Sequence, residues 1–391
     1  MKGEACDVVI VGGGPAGSTC ARGLTRAGLD VVILDKAVFP RDKTCAGWIT
    51  PAVVDAVELP IDEYREGRVF QPITAFRTSR IGSGRLLSTE FDHTVSYGIR
   101  RCEFDHFLLQ RSGARVRAGE PLTNLRRDAE GPGARWVVNE SIIAPLVIGA
   151  GGHFCPVARY VSDIRDGPVI EPIVAAQEIE VALTPAQAAA CRVGAETPEL
   201  YLCDDLEGYG WCFRKGPVLN VGLGRQDTRQ LSRHVRDFVA SLISWGRIPS
   251  DLEWHWKGHA YLLRGESRRP PIDDGVMLIG DAAGLAYARS GEGIRPAVES
   301  GLLAAEVATQ ALGRDRCGRD DLAPYRARLQ SHFGDGAAAG AGSIGSRLPR
   351  SASIAVAQIL LANRWFTREV FLRRWFLRED APSLKVAAIR R

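Results

Sequence analysis

The strand, turn, helix and strand between Asp7 and Lys36 constrain the fold more than any other part of the sequence. This stretch, "DVVIVGGGPAGSTCARGLTRAGLDVVILDK", holds two apolar runs rich in β-branched residues. Such runs are typical of parallel strands that are buried on both faces. We predict strands at residues 7–11 and 31–35 and a helix at residues 15–27. The unit indicates a doubly wound α/β fold.

The turn after the first strand follows the pattern G-x-G-x-x-G at Gly12, Gly14 and Gly17. The first glycine permits a tight turn, the second lets the backbone approach a pyrophosphate, and the third lets helix and strand pack closely. Pro15 and Ala16 then open the helix, whose free N–H groups attract an anion. The pattern predicts a dinucleotide site at these five residues.

Asp35 closes the second strand, 23 residues after Gly12, and Lys36 follows it. We predict that both residues belong to the cofactor site. A carboxylate at this position accepts hydrogen bonds from a ribose hydroxyl and disfavours a 2'-phosphate. The competing interpretation is an ordinary glycine-rich turn of an α/β protein. Strand, glycines, helix, strand and acid arrive in the order that a dinucleotide site requires, which favours the binding interpretation.

A second strand end of the same kind lies far along the chain. "VMLIGD" ends at Gly280 and Asp281, and "GEGIRPAVESGLLAAEVATQAL" starts a helix after Gly291 and Gly293, with Ile294 at its first turn. A carboxylate at a strand end binds hydroxyl groups, and N–H groups at a helix start stabilise an anion. The competing interpretation is a short α/β turn unrelated to a ligand.

At these residues the sequence resembles the FAD-dependent oxidoreductases of the aromatic-hydroxylase fold, and most of all the geranylgeranyl reductase family. The resemblance implies that the cofactor is FAD. It also implies that Asp281 binds the ribityl chain and that Gly291, Glu292, Gly293 and Ile294 pass beneath the flavin ring. N–H groups there would face the edge of the flavin that becomes negative on reduction.

Two arginines belong to the same resemblance. "IRRCEFDHFLL" is similar to the family segment R-x-x-F-D-x-x-L, with Arg101 in the arginine position. This implies that Arg101 contacts the FAD pyrophosphate, a role that suits a guanidinium group. Arg41 has a similar but weaker claim. An arginine on a solvated helix start is the competing interpretation of Arg101.

The segment "DKTCAGW" matches the reductase pattern K-x-C-x-G, with Cys45 in the cysteine position and Ala46 where glycine is frequent. The resemblance places both residues beside the flavin and the substrate. A thiol is mostly protonated at neutral pH and can act as a proton donor. It can equally serve as a small apolar wall. We assign Cys45 to the cofactor site and treat it as the candidate catalytic residue.

The segments between the cofactor motifs alternate with period two, which predicts an antiparallel sheet over one face of the flavin. "GYGWCFRKGP" resembles the family segment Y-x-W-x-F-P-K, and Tyr209, Trp211 and Phe213 share one side of a strand. We predict that they line the substrate pocket, with His259 as a further candidate. The competing interpretation is a packed sheet core, and for His259 a structural role.

We therefore expect an α/β protein, α+β overall, with a Rossmann-like FAD-binding domain, an inserted antiparallel-sheet substrate domain and a helical C-terminal region. The predicted FAD domain is discontinuous and comprises residues 1–61, 98–160 and 262–312. The predicted substrate domain comprises residues 62–97 and 161–261, and the C-terminal region residues 313–391.

Composition excludes several other classes. The net charge of +4 in 391 residues is too small to indicate nucleic-acid binding, and the nine cysteines form no C-x-x-C. We therefore predict no metal site and no disulfide framework. The N-terminal apolar run is too short for a signal peptide, so we expect a cytoplasmic protein.

The last helical segment, "ASIAVAQILLANRWFTREVFLRRWFLRED", combines an apolar stripe with arginines. Leu361, Trp365, Leu372 and Phe376 form the predicted stripe. Peripheral contact with a membrane surface and gating of an apolar substrate are two interpretations, and a helix that covers the core is the third.

We expect hydride transfer from reduced flavin to a small, apolar, isoprenoid-like substrate, with NAD(P)H as a transient electron donor. A monooxygenase or halogenase is the first alternative. It is disfavoured because the halogenase motif W-x-W-x-I-P is missing and because Gly151 stands where many members of the fold have aspartate. A flavin electron-transfer protein is the second alternative.

Overall fold

The computed structural model describes residues 3–129, 133–165, 171–334 and 350–384. Its strands are β1 Glu4–Ala5, β2 Val8–Val11, β3 Val31–Asp35, β4 Trp48–Ile49, β5 Phe70–Ile73, β6 Ala75–Arg80, β7 Leu87–Glu90, β8 Ser96–Ile99, β9 Arg115–Ala118, β10 Leu125–Arg127, β11 Trp136–Val138, β12 Ile142–Ala144, β13 Leu146–Gly149, β14 Val174–Ala182, β15 Glu199–Leu202, β16 Gly208–Lys215, β17 Val218–Arg225, β18 Lys257–Tyr261, β19 Ile272–Asp273 and β20 Val276–Leu278.

The helices are α1 Pro15–Arg26, α2 Pro51–Ala56, α3 Ile61–Arg65, α4 Arg101–Gln110, α5 Pro156–Arg165, α6 Pro185–Ala190, α7 Leu231–Ser244, α8 Ile294–Leu312, α9 Arg319–Phe333 and α10 Arg350–Ala362. A 3₁₀ turn spans Gly280–Ala283, and a π-helical segment spans Phe366–Phe376. No helix in these described ranges is both long enough and apolar enough to cross a membrane.

The cofactor-side sheet has the strand order β19-β20-β13-β2-β3-β9. All of its strands run parallel except the edge strand β19, which is antiparallel to β20. Every residue of β2 and β3 is buried, which is why both strands read as continuous apolar runs. The structure confirms the predicted strand, helix and strand of the glycine motif to within one residue at each end.

Helices α1 and α8 lie side by side against this sheet. A Cβ atom on Gly301 of α8 would lie 2.6 Å from the carbonyl oxygen of Ala16 in α1, so the two backbones are in direct contact. This close packing brings the starts of both helices to the same edge of the sheet. The two glycine turns, almost 280 residues apart in the chain, therefore face one cleft.

The substrate-side sheet has seven strands in the order β18-β14-β17-β16-β15-β6-β7. Its pairs are antiparallel except for β6 and β15, which run parallel because the chain leaves the sheet between them. The hairpin of β16 and β17 turns at Gly216 and Pro217. All seven strands come from residues 62–97 and 161–261. The domain boundaries themselves remain predictions.

The C-terminal segment, residues 366–382, packs on the inner side of the substrate-side sheet. Leu372 and Phe376 are buried at 0% and 2% exposure, and the Phe376 ring stacks on Trp48 at 4.7 Å. Trp365 is 68% exposed, so the predicted stripe was wrong at this residue. The stripe assumed α-helical spacing, whereas the wider π-helical turn that starts at Phe366 changes which side chains share a face.

Candidate functional site

One cleft of about 750 Å³ runs between the carboxyl edge of the cofactor-side sheet and the inner face of the substrate-side sheet. It collects the predicted residues from both glycine turns, the Cys45 loop, the start of α4 and strands β16 and β18. The predicted residues that line it are Gly12, Gly14, Pro15, Ala16, Asp35, Lys36, Arg41, Cys45, Ala46, Arg101, Tyr209, Trp211, His259, Asp281, Gly291, Gly293 and Ile294.

The first glycine turn leaves the start of α1 open toward the cleft. Gly12 has a φ of +116°, and a Cβ atom there would lie 2.6 Å from the carbonyl carbon of Ala150. Gly14 is the N-cap of α1, and no side chain forms a cap hydrogen bond there among the described residues. Gly17 does not line the cleft, because it packs against the carbonyl group of Gly12. Its place agrees with the packing role predicted for the third glycine.

Asp35 ties the turn to the end of β3. Its carboxylate accepts hydrogen bonds from the N–H groups of Gly13 and Ala37, both at 2.8 Å, and only 9% of the residue is exposed. These bonds orient the carboxylate at the cleft wall. Lys36, the next residue, lies on the same wall and is exposed.

Two arginines converge on the buried carboxylate of Asp105. Arg101 donates two hydrogen bonds to it, at 2.7 and 2.8 Å, and Arg41 Nη2 lies 3.2 Å from Asp105 Oδ2. Burial alone would lower the pKa of Arg101, but the Asp105 charge raises it, so the guanidinium stays charged in the cleft wall. Arg41 Nη1 is buried and has no hydrogen-bond partner within the described part of the chain. A phosphate oxygen would satisfy it.

Lys43 adds a third positive group to this wall. Burial lowers its pKa to about 8, and the charge of Arg101 acts in the same direction. The carboxylates of Asp281 and Asp105 oppose this change. The wall therefore carries concentrated positive charge that is only partly neutralised by protein carboxylates.

Asp281 follows β20 at the start of the 3₁₀ turn, and its Oδ2 atom lies 3.6 Å from His259 Nε2. Burial would raise the pKa of Asp281, but His259, Lys43 and Arg101 together lower it. Burial lowers the pKa of His259, whose ring stacks on Tyr261 with centroids 5.9 Å apart. Asp281 is thus an ionised acceptor at the cleft wall, and His259 is its orienting neighbour.

The second glycine turn leaves part of the start of α8 open, because only the N–H of Arg295 in its first turn is bonded to a side chain of the described residues. Gly291 has a φ of +68°, and a Cβ atom there would lie 2.5 Å from the hydroxyl oxygen of Tyr261. Gly293 is the N-cap of α8 and receives no side-chain cap hydrogen bond in the described structure. Glu292 accepts a hydrogen bond from the Arg295 N–H at 2.9 Å, and burial raises its pKa to about 7.

Cys45 lies at the junction of the cofactor and substrate sides of the cleft. The Gly47 N–H points at Cys45 Sγ at 3.4 Å, and the Arg101 guanidinium is close enough for its charge to act on the thiol. The Cys45 N–H donates to Glu178 Oε1 at 2.5 Å. The loop thus presents the sulfur atom to the cleft, with one N–H donor and one positive charge near it.

The aromatic wall is shorter than the sequence predicted. Tyr209 and Trp211 line the cleft, and the Tyr209 hydroxyl donates to the Ser290 carbonyl at 2.7 Å. Phe213 is 1% exposed and lies outside the cleft lining, in an apolar cluster with Phe371 and Leu372. It shares the strand face of the other two, but the C-terminal segment covers that end of the sheet.

Sequence reasoning missed several cleft and near-cleft residues: Lys43, Trp48, His153, Glu178, Asn220 and Tyr261. One signal was available for Glu178. In "IVAAQEIEVA" the residues Val174, Ala176, Glu178 and Glu180 share one strand face, and two acids on the inward face of a sheet are unusual. Lys43 is the lysine of the K-x-C-x-G pattern, which gave a second signal. The other four residues carry no distinguishing pattern, because their importance comes from neighbours far away in the chain.

The residues present fit FAD. Two helix starts with glycine N-caps, an orphaned buried Arg41 nitrogen and the positive wall suit a pyrophosphate, and oriented carboxylates suit the sugar and ribityl hydroxyls. Both glycine turns exclude side chains where a flat or extended ligand must approach the backbone.

Comparison with known proteins agrees with this site. A family model described as an FAD binding domain matches residues 5–305. The digeranylgeranylglycerophospholipid reductase of Methanothrix thermoacetophila is 29% identical, and the match covers 84% of each chain. The menaquinone reductase of Mycobacterium tuberculosis is 29% identical over 78% of this chain and 76% of that protein.

A similar fold is known from a crystal structure. The geranylgeranyl bacteriochlorophyll reductase-like protein of Thermoplasma acidophilum superposes with a TM-score of 0.76 at 21% identity, over 94% of both chains. At this identity the likeness establishes the fold. Since the family model spans most of the chain and both glycine turns, the protein belongs to the FAD binding domain family and is an FAD-dependent oxidoreductase similar to the geranylgeranyl reductases.

Proposed function

We propose that the protein reduces a carbon–carbon double bond in a small, apolar, isoprenoid-like substrate. The observation that carries this proposal is the aromatic wall of Tyr209 and Trp211. Together with Trp48, it lies in the same cleft as the second glycine turn and Cys45. An apolar wall beside a flavin site suits a substrate without charge. The names of the relatives, which are reductases of isoprenoid lipids and of menaquinone, support the same substrate class.

Each wall of the cleft has a proposed part in holding the cofactor. The start of α1 with Arg41 and Arg101 would hold the pyrophosphate, Asp35 a ribose hydroxyl and Asp281 the ribityl chain. The start of α8 would face the flavin edge. When bound, FAD supplies the hydride for the reduction.

The remaining step is delivery of one proton to the second carbon of the double bond. We assign it to Cys45, whose S–H bond breaks as the new C–H bond forms. The thiolate left behind lies beside the Arg101 guanidinium and the Gly47 N–H, which both stabilise negative charge on sulfur. Solvent then returns the proton to Cys45 Sγ.

The test is anaerobic turnover with the FAD-loaded protein. Reduction by NADH, NADPH and dithionite is followed by flavin absorbance, and geranylgeraniol and menaquinone are then added as probe substrates. We expect reoxidation of the flavin and products two hydrogens heavier, with both added hydrogens on the isoprenoid chain rather than on the quinone ring. NAD(P)H stays a proposed donor until one of the two reduces the flavin.

Two outcomes would overturn the reductase proposal. One is product formed only in air with matching oxygen consumption, which would establish the oxygenase alternative. The other is a flavin that takes up electrons and returns them to no double bond in the panel, which would favour an electron-transfer protein.

Peripheral membrane contact also remains a proposal. Val356, Ile359 and Trp365 expose 45%, 71% and 68% of their surface on and after α10, next to Arg364 and Arg368. Three further basic residues of the C-terminus, Lys385, Arg390 and Arg391, lie outside the described residues. Co-sedimentation with vesicles of phosphatidylglycerol and phosphatidylcholine tests it, and Ile359→Ser with Trp365→Ser should reduce the bound fraction.

A further inference from the structure

Two side chains of the substrate-side sheet hold the loop that carries Cys45. Glu178 on β14 accepts the Cys45 N–H at 2.5 Å, and Asn220 on β17 donates its Nδ2 to the Cys45 carbonyl oxygen at 3.3 Å. Both backbone polar groups of Cys45 are thus bound by the opposite wall of the cleft. The loop itself belongs to the chain that leaves β3 on the cofactor side.

Asn220 also connects this loop to the aromatic wall. Its Oδ1 accepts a hydrogen bond from Trp211 Nε1 at 2.7 Å, and its Nδ2 also reaches Glu178 Oε2 at 3.3 Å. Glu178, Asn220 and Trp211 are 4%, 0% and 6% exposed. The buried amide group of Asn220 therefore joins Trp211 of the aromatic wall to Cys45, the proposed proton donor.

Burial of a carboxyl group at position 178 lowers the free energy of unfolding unless other groups bind it. Val174 and Ala176 occupy the same strand face without polar groups, and burial raises the pKa of Glu178 to about 7 despite the Cys45 N–H, Lys215 and Asn220 nearby. A buried carboxyl group stabilises a fold poorly unless its partners require it. Here its partners are the Cys45 backbone and Asn220, so its use is to hold that loop.

We propose that Glu178 and Asn220 are positioning residues that fix the Cys45 loop to the substrate-side sheet, so that the thiol and Trp211 keep a constant separation across the cleft. The inference rests on the proposed function for its catalytic meaning. Its structural content, the anchoring of the Cys45 backbone, is measurable without any substrate.

The test compares Glu178→Leu, which keeps side-chain volume but removes the acceptor, with Glu178→Gln, which keeps an acceptor oxygen. Hydrogen–deuterium exchange of the peptide spanning residues 42–47 is followed by mass spectrometry in the FAD-loaded protein. We expect exchange in this peptide to be about 10-fold faster in Glu178→Leu, the size expected for one lost buried hydrogen bond. Glu178→Gln should stay within about 2-fold of the wild type.

Activity gives the second readout. We expect kcat to fall about 10-fold or more in Glu178→Leu with KM and FAD content nearly unchanged, and Glu178→Gln to restore most of kcat. Gln177→Leu is the matched control, because Gln177 is the neighbouring residue on the opposite face of β14, and it should change neither exchange nor kcat.

Unchanged exchange at residues 42–47 in folded Glu178→Leu would overturn the proposal, as would equal acceleration over the whole chain. If Glu178→Leu does not fold, Asn220→Ala provides the same test, with the same peptide expected to exchange faster. Local acceleration in a protein that reduces no probe substrate would support the anchoring and reject the proposed function. Reductase activity with unchanged local exchange would do the reverse.

Discussion

At the scale of single residues, the site depends on polar groups whose pKa values are shifted by burial. Lys43 has a lowered pKa, and Glu178 and Glu292 have raised pKa values, in each case chiefly because of burial. Cys45 sits among these groups with charged and backbone donors beside its sulfur. Groups with altered protonation gathered in one cleft are typical of an active site.

Cys45→Ser should retain FAD and lose turnover. A hydroxyl group keeps the volume but gives up a proton far less readily, and a positioned acid contributes about 10²–10⁴-fold to a rate. The measurements are flavin content and anaerobic kcat with the probe substrate. Cys102→Ser is the control, because Cys102 is half-buried on α4 outside the cleft lining. Wild-type turnover in Cys45→Ser would remove Cys45 from the mechanism.

Glu292→Gln should change how stability depends on pH. Burial raises the pKa of Glu292 from 4.5 to about 7. Between these values the folded protein keeps a proton that the unfolded chain releases, so the wild type loses stability as pH rises through this window. The variant has no such loss. Its free energy of unfolding relative to the wild type should therefore rise by roughly 1–3 kcal/mol between pH 5 and 7.5.

Urea unfolding at both pH values measures this difference. Because the comparison is made within each pair of proteins, titration of the other groups largely cancels. A difference that stays constant from pH 5 to 7.5 would contradict the raised pKa of Glu292.

At the scale of elements, Arg295 joins α8 to the C-terminal segment that closes the apolar side of the site. The residue is 1% exposed and donates to the carbonyl oxygens of Arg378, Ala381 and Pro382 at 3.1, 2.8 and 2.9 Å. It also pairs with Glu299 at 2.8 Å. One side chain at the start of the cofactor helix thus fixes the segment whose Phe376 stacks on Trp48.

Arg295→Met should release this segment. The substitution leaves three carbonyl oxygens without the Arg295 donor and leaves Glu299 with only Tyr287 and His332 beside its carboxylate. Breaking a buried ion pair in this way costs about 3–5 kcal/mol. We expect trypsin to cleave after Arg373, Arg374 or Arg378 in the folded variant sooner than in the wild type. Arg328→Met is the control, since Arg328 pairs with Glu306 at the surface. Equal cleavage rates would show that Arg295 does not hold the segment.

At the scale of the whole molecule, the cleft separates two sheets whose facing sides both carry polar groups. The positive wall of Arg41, Lys43 and Arg101 has few protein partners to neutralise it. A ligand that fills the cleft and satisfies this wall therefore stabilises the folded state over the unfolded chain.

Removal of FAD should lower the midpoint of thermal unfolding. Added FAD at about 100 times its Kd should raise the free energy of unfolding of the FAD-free protein by about 2.7 kcal/mol. Arg41→Gln, which removes the guanidinium and its buried, orphaned Nη1 atom, should weaken FAD binding about 10-fold or more. Differential scanning calorimetry and FAD fluorescence titration measure the two effects. A midpoint that is independent of FAD would contradict the assignment of the cleft.

Much of this protein was readable from local sequence. The glycine turn, its flanking strands, Asp35, and the second turn at Gly291 and Gly293 were found because each depends on backbone geometry within a few residues. The aromatic wall was predicted only in part. Strand alternation gave the shared face of Tyr209, Trp211 and Phe213, but it carried no information about what covers that face.

The sequence by itself therefore determined the dinucleotide site, the parallel cofactor-side sheet and the antiparallel substrate-side sheet, because periodicity and turn chemistry are local. The choice of FAD came from the resemblance to the reductase family. The tertiary structure alone decided that Phe213 is buried in the core and that Trp365 is exposed. It also decided that Glu178 and Asn220 form hydrogen bonds to the backbone of Cys45. The reason is physical: a side chain's burial and partners come from segments that are distant in the chain and meet only when the two sheets enclose the cleft.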